Sequence, residues 1–139
     1  MVELTRTHKI VTTPLKQRKV YTADTAATDV EAVFRLLRGR WKLLILFHLF
    51  DGKVQRFSDL ERRVCGISQK MLAQQLRSFE REGLVLRTDY QEVPPRVDYR
   101  LTPWGQKVCP VMDSMLEWAE QRADENDLPL PVAASVAHA

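Results

Sequence analysis

The stretch G66-ISQKMLAQQLRSFEREGLVL-R87 decides how the rest of this chain is read. Ser68 is a helix cap, Met71, Leu72, Leu76 and Phe79 recur at helical spacing, and Gly83 ends the run. With those four apolar residues turned inward, the outward side carries Gln69, Lys70, Gln74, Arg77 and Ser78, with Ala73 leaving room between them. Glutamine and arginine are the side chains that hydrogen-bond to base edges in two directions at once. No acid intervenes before Glu80, and the capped N-terminal turn directs free N–H groups outward, where they suit phosphate.

Upstream, "RFSDLERRV" has the form of another helix, with Ser58 as N-cap, Glu61 completing a capping box, and Leu60 and Val64 inward. Cys65-Gly66-Ile67 is then a three-residue turn between two helices. Downstream, Leu86, Thr88 and Tyr90 alternate on one strand and Val97, Tyr99 and Leu101 on a second, an antiparallel hairpin joined by the stiff "EVPPR" loop. Helix, short turn, helix and immediate hairpin predict a helix-turn-helix with a wing. Arg87 and Arg96 lie near the wing tip, and with Arg56 they are candidates for holding a nucleic-acid backbone.

Apolar spacing predicts a helix from Asp29 to Gly39 and a second, apolar nearly all round, from Arg40 to Phe50. Thr102-Pro103 opens a long last helix with Trp104, Val108, Val111, Met115 and Trp118 as its stripe, and Pro110 is expected to kink it. The fold class is therefore mainly α with a small antiparallel β-hairpin. Its parts are a basic arm (1–28, expected to be flexible), a winged helix-turn-helix domain with flanking dimerisation helices (29–123), and a C-terminal tail with a disordered composition (124–139). The last helix is apolar over more than one face, and a chain of 139 residues covers only one of them itself. A homodimer follows.

Formal charge is +3, unevenly spread. Residues 1–28 carry five Lys/Arg against two acids and residues 29–102 fourteen against ten, whereas residues 103–139 carry two against six. That asymmetry suggests a binding end and a non-binding end. Lys16, Arg18 and Lys19 of the arm either trail along phosphates or a minor groove, or are simply solvated. Two cysteines imply a reducing compartment, the longest apolar run (43–50) is too short to span a membrane, and the N-terminus lacks a signal-peptide core. A cytoplasmic location is expected.

Three segments, "GRWKLLILFHLFDG", "RFSDLERRV" running on to "GISQKMLAQQLRSFEREGLVLR", and "EVPPRVDYRLTPWGQ", together resemble the HxlR family of bacterial winged-helix transcriptional regulators. The resemblance runs from about Asp29 to Arg122 and includes the Pro94-Pro95-Arg96 wing tip. It implies a homodimer built from the N-terminal and last helices, one winged helix on each half of a pseudo-palindromic operator in double-stranded DNA, and repression or activation of neighbouring genes. Many members sense oxidants or electrophiles through a cysteine just before the first helix. Aligned on Trp41, that position is Thr28 here.

Cys65, beside Arg62 and Arg63, is a candidate redox switch, since neighbouring cations lower a thiol pKa; a small half-buried turn residue is the preferred reading. Cys109, next to Pro110, is read as structural. Trp41, Met115 and Trp118 are a candidate dimer contact or a pocket for a small hydrophobic effector. The three histidines show no ligand spacing, and no catalytic grouping, P-loop or dinucleotide fingerprint is present, so neither metal, cofactor nor enzymatic activity is expected. The alternative function is a winged-helix protein-interaction module without sequence-specific DNA binding.

Overall fold

The computed structural model describes residues 19–126, with side chains to residue 122. They divide into two compact units, one ending at Arg35 and the other beginning at Leu36. In the first unit, helix α1 (Ala23–Leu37, its last turn entering the second unit) starts at Ala23 and not at Asp29. The reason is a reciprocal threonine cap: Thr22 Oγ1 accepts from Thr25 N at 3.2 Å, and Thr25 Oγ1 accepts from Thr22 N at 2.9 Å. Part of the arm is therefore helical. Lys16 and Arg18 lie outside the described residues, and Lys19 is ion-paired to Asp29 at 2.7 Å.

The second unit begins its own elements with α2 (Arg40–Leu49) and a two-residue strand β1 (Gln55–Arg56), followed by α3 (Phe57–Arg63) and α4 (Gln69–Arg81). Strands β2 (Val85–Asp89) and β3 (Val97–Leu101) come next, then the short α5 (Pro103–Gln106) and the long α6 (Val108–Asn126). The sheet is antiparallel in the order β1-β3-β2, so the fold is mainly helical with three small strands, a winged helix-turn-helix. Its core is Ile45, Leu46 and Leu49 of α2, Leu60 and Val64, the inner face of α4, and Leu84, Val85, Tyr99 and Leu101 around the sheet, with Met112 of α6.

Several local expectations are corrected. Ser58 does not cap α3. Arg56 occupies that place, and Asp59 Oδ2 accepts its backbone N–H at 3.0 Å, because pairing with β3 holds Arg56 extended up to the first helical residue. On β2 the expected alternation holds, and the register adds which side faces in: Val85, paired with Leu101, is inward, and Leu86 faces out opposite Arg100. The last helix breaks at Lys107, not at Pro110. Thr102 caps α5 through Gly105 N at 3.0 Å, and Pro110 falls in the first turn of α6, where no intrahelical N–H is required. Nor is α2 covered all round: Leu43, Leu44 and Phe47 are exposed.

The residues after Asn126 lie outside the described ones, so the expected tail does too, apart from the end of α6. Among the described residues no helix is long and apolar enough to cross a membrane, and no cluster of potential metal ligands occurs.

Candidate nucleic-acid interface

Helix α4 is set by both of its ends. Ser68 Oγ accepts from Met71 N at 3.0 Å, the N-cap read from the sequence. At the other end Leu84 N returns to the Phe79 carbonyl at 2.9 Å and Gly83 N to the Glu80 carbonyl at 3.1 Å, a Schellman closure. Gly83 supplies the left-handed residue this closure needs, with φ of 78°. Leu72, Leu76 and Phe79 are fully buried and Met71 half-buried, so the helix cannot rotate about its axis without exposing its core face.

That orientation leaves Ser68, Gln69, Lys70, Gln74 and Arg77 exposed. Among the described residues, neither Lys70 nor Arg77 takes part in an ion pair. Ser78 behaves differently. It is half-buried, and its hydroxyl accepts from Lys42 Nζ at 3.0 Å. The Lys42 ammonium also lies 5.0 Å from the centre of the Phe79 ring, and burial pulls its pKa below the ordinary lysine value. Lys42 is the residue the sequence reading missed. Its signal is a cation inside the otherwise apolar "RWKLLILF", a place where a lysine has to find a partner or snorkel.

The wing arginines are less free than their sequence positions imply. Arg87 pairs with Asp89 at 3.6 Å. Arg96 donates to both carboxylate oxygens of Asp98, Nη2 at 3.2 Å and Nε at 3.5 Å, and its guanidinium stacks 4.4 Å from the Tyr90 ring centre. Hydrogen bonding from Arg96 holds the Asp98 carboxyl below its usual range, against the opposing effect of burial, with Tyr90 and Arg56 adding to it. The tip between them closes through Tyr90 N to the Arg96 carbonyl at 3.1 Å, and the Val93–Pro94 peptide is cis. Arg56 is exposed at the sheet edge, paired in register with Asp98.

The remaining candidates are dispersed. Cys65 is an exposed free thiol in the α3–α4 turn, and Cys109 is half-buried, with burial pushing its thiol pKa up. Thr28 is exposed on α1 and donates its hydroxyl to the Asp24 carbonyl at 2.9 Å. Trp41 is half-buried against Gly66 with Arg40 stacked 4.4 Å over its ring, whereas Met115 and Trp118 lie exposed on α6, Trp118 at 75%.

A helix-turn-helix carrying an open polar recognition face beside a wing defines the class of HTH-type transcriptional regulators. The HxlR-like helix-turn-helix family matches residues 36–127, and the chain belongs to it, a family of DNA-binding regulators and not of enzymes. An uncharacterised HTH-type transcriptional regulator of Methanothermobacter thermautotrophicus is 44% identical over 97 residues, covering 70% of this chain and 73% of that protein. Among solved structures, one described as a transcriptional regulator of the MarR family from Enterococcus faecalis V583 aligns with a TM-score of 0.68 at 30% identity, over 84% of this chain and 98% of that one. The redox regulator HypR in its reduced form aligns with a TM-score of 0.63 at 35% identity, over 71% of this chain and 97% of that one.

Proposed function

We propose that this regulator acts as a homodimer on a pseudo-palindromic operator, with α4 in the major groove and the wing, residues 85–101, along the backbone or minor groove. One observation carries the reading. The side of α4 opposite fully buried Leu72, Leu76 and Phe79 presents Gln69, Lys70, Gln74 and Arg77 to solvent, with Arg77 in no ion pair among the described residues. Gln74 and Arg77 are the base readers of this arrangement. Ser68, Gln69 and Lys70, at the helix start, meet phosphates or the first base pair. Ser78 serves the packing of α4 through Lys42.

Support for the dimer comes from apolar side chains left open on the flanking helices. Val30, Val33 and Phe34 are exposed on α1, and Val111, Met115, Leu116 and Trp118 on α6. Met115 and Trp118 are accordingly assigned to the dimer contact. A two-fold arrangement then sets the two recognition helices about 34 Å apart, one turn of DNA.

Selection from a random duplex library tests both parts. An inverted repeat is expected to be enriched, and Arg77→Ala is expected to lose about 1–3 kcal/mol on that site and to relax preference at one base pair of each half-site. Equal loss on every sequence refutes base reading by Arg77. Absence of any enriched sequence, with no salt dependence, leaves the protein-interaction module in its place.

A further inference from the structure

The recognition helix and the wing differ in how their charge is disposed. Residues 69–81 carry Lys70, Arg77 and Arg81 against Glu80 alone. Residues 85–101 carry Arg87, Arg96 and Arg100 against Asp89, Glu92 and Asp98, so the hairpin is formally neutral. Two of its arginines are also paired within the hairpin, Arg87 with Asp89 and Arg96 with Asp98, each across two residues of the chain. Register puts the two pairs on opposite faces, since Arg87 is opposite Tyr99 and Asp98 opposite Thr88. Asp98, covered by Arg96, shares the outward face of Leu86, whereas Arg87 and Asp89 continue the line of core-facing Val85 out to the exposed tip, so either arginine that meets the duplex already has a carboxylate.

Both acids are built in. Asp98 is only 5% exposed, lies between Arg56 and Thr88 in the sheet, and is covered by Arg96. Asp89 uses Oδ1 to accept the Gln91 N–H at 2.9 Å at the start of the tip, and Oδ2 to face Arg87. Neither can swing away with its arginine.

Resting on the operator-binding reading above, we propose that Asp89 and Asp98 withhold Arg87 and Arg96 from the phosphates of random DNA, so that the wing arginines reach phosphate only where the recognition helix has found its bases. For a wing arginine to contact DNA it must exchange a carboxylate for a phosphate and leave that carboxylate beside the polyanion. On a random sequence the protein shifts along the duplex, so the exchange has no fixed geometry to offset its cost. On the operator, base contacts from α4 fix the register, and the wing contact becomes effectively intramolecular. Removing either carboxylate therefore adds a phosphate contact on random DNA, where the wild-type wing makes none, and adds no contact on the operator, where it is already made.

The test measures Asp89→Asn and Asp98→Asn on the selected operator and on a random duplex, across a fourfold range of salt. Asparagine keeps the Asp89 turn acceptor and the shape of Asp98, and thermal melting checks the fold of each. On random DNA the salt slope is expected to steepen by up to about 0.9 for each variant, equivalent to an extra fall of about 3.5-fold in affinity over that salt range. On the operator, where the contact is already made, the slope should stay as it is. An unchanged slope on random DNA, or weaker binding to it, overturns the proposal, and exposed Asp89 gives that answer even where Asp98→Asn fails to fold.

Repeating Asp98→Asn in an Arg96→Gln background separates release of Arg96 from mere loss of a negative charge. Equal steepening in both backgrounds overturns the release, and steepening confined to the arginine background supports it. A wild-type protein that shows no operator preference fails earlier, and overturns the operator reading together with the inference built on it.

Discussion

Gly105→Ala is the perturbation for which the structure dictates the largest effect from one added methyl group. A Cβ at Gly105 would stand 2.2 Å from the Leu84 carbonyl oxygen, 3.2 Å from its carbon and 3.3 Å from Leu101 Cβ. Ordinary carbon–oxygen contacts begin near 3.3 Å, so α5 and the Leu84 peptide must separate by about 1 Å. That same carbonyl accepts the Thr102 N–H at 3.0 Å, and Thr102 Oγ1 donates to the Gly83 carbonyl at 2.6 Å. Losing one such bond costs about 1 kcal/mol, and overpacking adds about 1–3 kcal/mol, or about 2–4 kcal/mol together.

At about 4 °C per kcal/mol for a chain of this size, the melting temperature should fall by about 8–16 °C. The control is Gly52→Ala, where φ is 71° but nothing lies within 4 Å of the new methyl. Only the left-handed backbone is penalised there, by about 1–2 kcal/mol. Both variants are melted at the same protein concentration, because association shifts apparent stability. A Gly105→Ala protein that melts within about 4 °C of wild type, or no lower than Gly52→Ala, refutes the close approach of α5 to the foot of the wing, taking about 1 kcal/mol as the smallest meaningful difference.

Three further outcomes are expected. Lys42→Met and Ser78→Ala should each cost about 1 kcal/mol in urea unfolding, and the double variant should cost scarcely more than either, because both remove the same 3.0 Å hydrogen bond. Asp98 has its carboxyl pKa depressed by Arg96, so the pair stabilises fully above the ordinary carboxylate pKa of about 3.9 and is lost only as pH falls through the lower folded value. Carboxyl NMR through an acid titration should show Asp98 ionised when exposed acids have protonated, and Asp98→Asn should remove that part of the acid sensitivity. With a limiting alkylating agent, peptide mapping should find Cys65 modified well before Cys109, which is half-buried and whose thiol pKa is raised by burial.

What was legible in the sequence follows the strength of each local signal. Helix α4 was readable end to end because Ser68, the Leu72–Leu76–Phe79 stripe and Gly83 all report one boundary set. Strand β1 was not, since two polar residues, Gln55 and Arg56, have no period, and only pairing with Asp98 and Tyr99 makes them a strand. The alternation of β2 was legible but its inward face was not, because Leu84, Val85 and Leu86 are three apolar residues in a row, which leaves the inward one undefined until Leu101 selects Val85. On the outward side of α4 the exposure of Gln69, Gln74 and Arg77 was legible from helical spacing alone. The partners of Ser78 and Arg96 were not, because a hydrogen bond from Lys42 across 36 residues leaves no pattern, and an acid two residues along a strand counts as ordinary alternation.

The passage from β1 into α3 has a consequence for the operator itself. Arg56 is the last strand residue and Phe57 the first helical one, while β1 is hydrogen-bonded to β3 of the wing. Wing and helix-turn-helix therefore move as one piece, with no hinge residue between sheet and α3. In the dimer proposed above, each such reading head meets its half-site as a single body. One base pair added between half-sites turns the second by about 35° and carries it about 3.4 Å along the axis, which then falls to the DNA to absorb by twisting or bending. Spacer length should accordingly be selected along with sequence, so that two inverted repeats with identical half-sites and spacers differing by one base pair bind this protein with different affinities.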